Sequence, residues 1–148
     1  MKAIGYHHNL PVDQPHALED LDLPAPQPGA RDLLVRVKAI SVNPVDTKVR
    51  KSTAPPAGQA KVLGWDAVGV VEAIGVDVTG FAPGNRVFYA GSITRPGANS
   101  ELHVVDERIA AKAPTSLEDS QAAALPLTAI TAWELLFDRL RVPQGGGA

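Results

Sequence analysis

The stretch "GWDAVGVVEAIGVDV", residues 64–78, decides how the rest of the chain is read. Its valines are stiff, β-branched strand formers, yet Gly64, Gly69 and Gly75 break into them. Glycine within a strand marks a bulge, a sharp bend or a close approach of another backbone, so the spacing predicts a strand that bends at Gly69 and Gly75. A dinucleotide phosphate loop is not encoded here, since that requires the tighter G-x-G-x-x-G spacing at the opening of a helix. At the mouth of the strand stand an indole, Trp65, and a carboxylate, Asp66.

Working outward, residues 2–7, 17–23 and 33–40 alternate apolar and polar, and 67–75 and 86–91 are β-branched or aromatic runs. All of these read as strands. In the third, Leu33, Val35 and Val37 define a core face and Leu34, Arg36 and Lys38 a wet one. The connections 23–32, 53–60, 81–85 and 94–99 are rich in Pro and Gly, marking turns and loops. Short strands punctuated in this way favour a small barrel or sandwich.

The texture changes near residue 114. Ser116, with Asp119 three residues on, predicts a capped helix start. A second helix is expected from Pro126, with Ile130, Trp133, Phe137 and Leu140 on one apolar face that must dock on something. The run 143–148, "PQGGGA", has the composition of a flexible linker.

With 148 residues the chain has room for one ordinary domain. Its 14 Lys and Arg against 16 Asp and Glu, a net charge of −2, give no reason to expect nucleic acid or an anionic membrane as partner. The absence of cysteine removes disulfides and thiolate zinc sites. No signal-peptide core is present, and no apolar run approaches the ~18 residues of a membrane helix. A soluble, cytoplasmic protein is the expectation.

The pattern G-x-[D/E]-x2-G-x5-G-x2-V, met at Gly64, Asp66, Gly69, Gly75 and Val78, resembles the medium-chain dehydrogenase/reductase superfamily. Supporting stretches are "AISVNPVDTKVR" (39–50), "FAPGNRVF" (81–88), "RPGANSELHVVDE" (95–107) and "AAALPLTAITAWELL" (122–136). The resemblance implies a mainly β, GroES-like, partly open barrel with flanking helices, over residues 1–125. It makes 126–148 the connecting helix and linker toward a Rossmann domain that the sequence does not contain.

In the zinc-dependent branch of that superfamily the catalytic metal is held at places that here carry Asn43, Trp65 and Leu127. None of the three is a strong zinc ligand. The region of the structural zinc lobe, near 91–99, reads only "GSITRPGAN". "NPVD" (43–46) with "GWD" (64–66) is similar to the zinc-independent quinone and enoyl reductase branch. The resemblance therefore implies hydride transfer from NADPH to a quinone or an α,β-unsaturated carbonyl, with most of the NADPH bound by a Rossmann domain and no zinc. Two alternatives stay open: a relative of the zinc-type alcohol dehydrogenases, and a non-catalytic GroES-like binding or structural module.

Without a metal, hydroxyls and amides must polarise the acceptor oxygen, and a proton must be delivered. Asn43 is the candidate for the nicotinamide ribose or the substrate oxygen, and equally an N-cap for the helix after it. Asp46 reads as a catalytic-site carboxylate or a solvated charge. Thr128 and Thr131 read as cofactor contacts or as hydroxyls bonding back to helix carbonyls. Tyr89 is a proton donor or pocket wall, or packing. Trp65 and Asp66 are assigned to the substrate pocket, with core packing the alternative for the indole. The four histidines lack ligand spacing, with His16 and His103 isolated. The apolar face of the last helix leaves room for self-association as a homodimer.

Overall fold

The computed structural model describes residues 1–143 and 145. The strands are β1 (Lys2–Tyr6), β2 (Glu19–Asp22), β3 (Asp32–Ser41), β4 (Lys61–Val62), β5 (Asp66–Ile74), β6 (Arg86–Ala90), β7 (Leu102–Asp106) and β8 (Ala110–Lys112). The helices are α1 (Pro44–Ser52), α2 (Asp119–Ala123) and α3 (Pro126–Trp133). The strands form two antiparallel sheets, of order β2-β1-β4 and β7-β3-β5-β6-β8. A bridge from Ala3 to Ser100 joins β1 to the turn before β7. The result is the mainly β, partly open barrel with flanking helices that the sequence implies.

β5 is the central strand and is buried on both faces. Toward the barrel interior Ala67 and Val71 pack with Leu33, Val35, Val87, Tyr89, Ala98 and Val105. On the other face Val68 packs with Ala113, Ala122 and Ala123 beneath α2. This double burial explains the continuous valine run, for a strand with one wet face alternates instead. β3 does alternate: Leu33 and Val35 are fully buried, whereas Arg36 and Lys38 are exposed.

The bend of this pair has a specific origin. Between β3 and β5, Val37 pairs with Gly69 and Ala39 with Val68, so Lys38 is an extra residue in the ladder. A second step leaves Glu72 unpaired, between Ala73 opposite Leu34 and Val71 opposite Val35. Such bulges bend a strand and raise its twist. Gly69 lies at the first bulge, where a β-carbon would fall on the carbonyl oxygen of Arg36 and the side chain of Val35. The strand ends at Ile74, so the second bend expected at Gly75 falls in the turn after it.

Other boundaries differ from the sequence reading. β1 stops at Tyr6 and β2 covers only 19–22. β4, β7 and β8 are additional, being too short or, in β7, too polar on one face to stand out. α2 is preceded by Glu118, not Ser116, and the Glu118 N–H donates to Gln121 Oε1 at 3.2 Å. The side-chain oxygen three residues on from the helix entry does supply an acceptor, but the motif begins two residues later than the Ser-x-x-Asp spacing suggests.

α3 starts at Pro126 as expected, but regular α-helix ends at Trp133 and a π-helical turn runs over Glu134–Arg139. Its wider hydrogen bonding, with the Leu140 N–H on Leu135 O at 2.9 Å, rotates the later residues away from the stripe of α-helical period. Ile130, Trp133 and Leu140 remain about half exposed, at 48%, 55% and 62%. The glycine run 143–148 lies outside the described residues apart from Pro143 and Gly145.

Gly69→Ala is expected to cost about 2 kcal/mol of stability, because the clash is with β3 backbone and cannot be relieved by a side-chain rotation. Urea unfolding checks this, with Gly58→Ala, which meets open space at positive φ, expected to cost less, about 1 kcal/mol.

Candidate functional site

Asn43, Asp46 and Asp66 come together at one corner of the barrel, where β3 runs into α1 and β5 begins. Asn43 is the N-cap residue of α1. Its backbone N–H donates to Asp46 Oδ2 at 2.8 Å, closing the first turn. The other Asp46 oxygen accepts the Gly64 N–H at 2.9 Å. Gly64 has φ +94, a left-handed conformation that favours glycine and aims this N–H at the carboxylate. Asp46 is 5% exposed, so it is no solvated helix-face charge but a tie between α1 and the entrance to β5.

Asp66 is fully buried and has two donors of its own. The Asn43 side-chain amide donates to Oδ2 at 2.9 Å. The Leu127 backbone N–H donates to Oδ1, also at 2.9 Å. Leu127 lies in the first turn of α3, where N–H groups have no partner within the helix, and Leu125 at the N-cap position offers no side-chain acceptor. Asp66 therefore caps α3 from a strand 61 residues away, and its negative charge suits the positive end of the helix dipole. Burial pushes the Asp66 carboxyl above its ordinary range, Asp46 adds to this, and the Asn43 amide and Leu127 N–H pull it back down.

The remaining expected residues divide. Trp65 is buried at 1% exposure with Tyr6 and Leu63, against Val45 and Val49 of α1, and its indole N–H donates to Ser92 O at 3.0 Å. It packs the underside of α1 and thereby supports Asn43. Thr128 donates to the carbonyls of Ala124 and Leu125 at 3.1 and 3.0 Å, and Thr131 to Leu127 O at 2.8 Å. Both hydroxyls bond back into their own helix, and both residues stay at the surface with acceptor capacity left. A groove of about 460 Å³ between β1 and β3, flanked by Lys2, Lys38 and Glu101, includes none of these residues. Among the described residues no three His, Cys, Asp or Glu side chains converge as a metal site would require.

Tyr89 lies elsewhere, in the barrel interior at 2% exposure. Its hydroxyl is 2.9 Å from His103 Nδ1, and the rings stack with centroids 5.5 Å apart. His103 Nε2 is 3.0 Å from Pro96 O. A carbonyl can only accept, so the imidazole proton is on Nε2, and Nδ1 accepts from the phenol. Pro96 is itself held by Arg95, whose guanidinium grips Asp32 with two bonds of 2.9 Å. His103, isolated in the sequence, is thus the centre of a buried network. Sequence reasoning missed it because Tyr89, on β6, and His103, on β7, share a sheet only through the intervening strands β5 and β3, and Pro96 lies in the loop before β7. It also missed the role of the Leu127 N–H, since a backbone donor carries no residue signature.

Burial lowers the His103 pKa from 6.5 to about 4. The folded state resists a proton that the unfolded chain accepts, so stability is full above 6.5 and falls as pH drops from there to about 4. The group is expected to contribute about 3 kcal/mol of acid destabilisation across that window. Urea unfolding at a series of pH values checks this: His103→Gln should flatten the slope.

The sequence matches the model of the alcohol dehydrogenase GroES-like domain over residues 29–115. It is 49% identical over 138 residues to a zinc-type alcohol dehydrogenase-like protein of Staphylococcus epidermidis, covering 93% of this chain and 40% of that protein. It is 42% identical over 123 residues to a quinone oxidoreductase of Pseudomonas aeruginosa, covering 82% of this chain and 37% of the relative. The fold superposes on Escherichia coli quinone oxidoreductase complexed with NADPH with a TM-score of 0.78 at 32% identity, over 92% of this chain and 40% of that one. The chain thus spans about two-fifths of the length of these relatives. From the matched barrel, the shared fold and these identities, the chain belongs to the alcohol dehydrogenase GroES-like domain family of the medium-chain dehydrogenase/reductase superfamily.

Proposed function

We propose that this chain is the catalytic barrel of an NADPH-dependent oxidoreductase that passes a hydride to a quinone or to an alkene conjugated to a carbonyl, without a metal. The carrying observation is the use made of the corner where the resemblance sets the zinc ligands. There the Asn43 amide and the Leu127 N–H both donate to Asp66, and the side chains at 43, 65 and 127 are an amide, an indole and an isobutyl group. Such a donor set does not favour zinc.

NADPH, when bound, supplies the hydride. Asn43 at the start of α1 and the threonines along α3 suit its nicotinamide and ribose end, offering an amide and two hydroxyls with acceptor capacity. The sequence holds no G-x-G-x-x-G turn for the phosphates, so the barrel alone should bind NADPH weakly. Polarisation of the acceptor oxygen then falls to polar groups such as the Asn43 amide, and water at this corner is a sufficient proton source for the developing enolate. Tyr89 is a less direct donor: burial raises its pKa and its proton is committed to His103.

A second reading has a specific observation behind it, the 49% identity to a protein described as zinc-type alcohol dehydrogenase-like. The two readings part in one experiment. The complete gene product is assayed for NADPH oxidation with 1,4-benzoquinone or a 2-alkenal, and for alcohol oxidation with NAD or NADP, before and after dialysis against a chelator. Chelator-resistant quinone or alkenal reduction with no stoichiometric zinc is the expected result. Alcohol oxidation that disappears with the chelator and returns with zinc would overturn the metal-free reading.

A further inference from the structure

Asp66 cannot touch a substrate or cofactor in this structure, for it is fully buried. Yet each of its oxygens serves a different helix: Oδ2 takes the side chain of Asn43, at the start of α1, and Oδ1 takes the Leu127 N–H in the first turn of α3. These are the two places that carry the groups assigned above to the nicotinamide end. Both partners are donors, which suits an ionised carboxylate, an acceptor only. Asp46 completes the frame by fixing α1 to Gly64, two residues before Asp66.

We propose that Asp66 is a positioning residue, one carboxylate that sets the orientation of the Asn43 amide and the placement of α3 together, so that Asn43 and Thr131 present a single preorganised face to the nicotinamide end of NADPH. This rests on the function proposed above and adds to it the group that aligns its binding elements. The chemistry favours a carboxylate over any other side chain at position 66. A carboxamide there can keep the Leu127 contact only with its NH2 group toward position 43, which forces the Asn43 amide to turn its oxygen inward and changes the donor and acceptor it presents outward. An apolar residue leaves two buried donors without partners. Preorganisation of this kind improves binding by removing the cost of ordering the contacting groups.

The test has two arms. In the isotope-labelled 148-residue chain, Asp66→Ala, which removes both acceptor oxygens, is expected to speed hydrogen exchange at the Leu127 amide by about tenfold or more, while amides of β3 and β5 stay protected and show that the barrel is intact. In the complete gene product the same variant is expected to raise KM for NADPH about tenfold while kcat changes by less than about threefold. Unchanged exchange at Leu127 overturns the proposal, and so does faster exchange with an unchanged KM, which would make Asp66 a purely structural cap. Should Asp66→Ala fail to fold, the exchanged pair Asn43→Asp with Asp66→Asn provides the check. The amide at 66 then donates to the carboxylate at 43 and accepts from Leu127, so protection at Leu127 is expected to return, and its absence in a folded protein overturns the proposal. A wild-type protein that shows no NADPH-dependent turnover overturns the function itself and the proposal with it, whereas a working wild type with an indifferent variant overturns the proposal alone.

Discussion

The arrangement of this corner depends on one constraint: a carboxylate that the fold has taken out of water must find donors for both of its oxygens. An unpaired buried charge is costly, and Asp66 meets no cation among the described ion pairs. Its donors are an amide and a backbone N–H supplied by two helix beginnings. The requirement runs in both directions, since the first turn of α3 has unpaired N–H groups and no cap of its own. The charge needs the helix start and the helix start needs the charge, so strand, first helix and last helix are located against one another by a few short contacts.

The barrel's curvature brings these partners within reach. β3 and β5 are the longest strands, and the bulges at Lys38 and Glu72 bend them as a pair. Ser41 pairs with Asp66 at the end of that bent ladder, so the chain leaving β3 enters α1 beside the residue that opens β5. Trp65 then fills the space beneath α1 with Val45 and Val49. A large indole whose N–H also finds a carbonyl is well matched to a half-polar layer of this kind. Packing and hydrogen bonding at the corner are thus successive residues of one segment, 64 to 66, each facing a different way.

Much of this was legible in residues 64–78. The glycines announced close backbone approach, and at Gly69 the structure shows it. The run of valines announced a strand, and the structure covers it on both faces, with the barrel interior on one and α2 on the other. The three polar candidates Asn43, Asp46 and Asp66 meet in space. What stayed hidden has a common cause. The partners of Asp66 and His103 include backbone groups, the Leu127 N–H and the Pro96 carbonyl, which every residue carries and no spacing identifies. Likewise the π-helical turn after Trp133 interrupts an apolar repeat that, as a string, continues undisturbed. For Thr128 and Thr131 the sequence left two readings, a cofactor contact or a hydroxyl bonding back into its helix, and the structure shows both hydroxyl protons on helix carbonyls.

The two buried networks also show why similar polar chemistry serves different ends within one barrel. Tyr89, His103 and Pro96 form a closed set in which the carbonyl fixes the tautomer, the imidazole Nδ1 accepts the phenol's hydrogen bond, and burial holds the ring neutral. Every donor there has its acceptor, and the set is enclosed by aliphatic side chains of the interior. At the other corner Asn43, also an amide with two N–H donors, spends one of them on Asp66. The groups around it lie at helix starts on the rim of the barrel, with Thr128 and Thr131 exposed close by along α3. A satisfied network in the interior specifies a fold. A network at a rim, rigid behind and polar in front, is the kind of arrangement on which recognition of a bound molecule can be built.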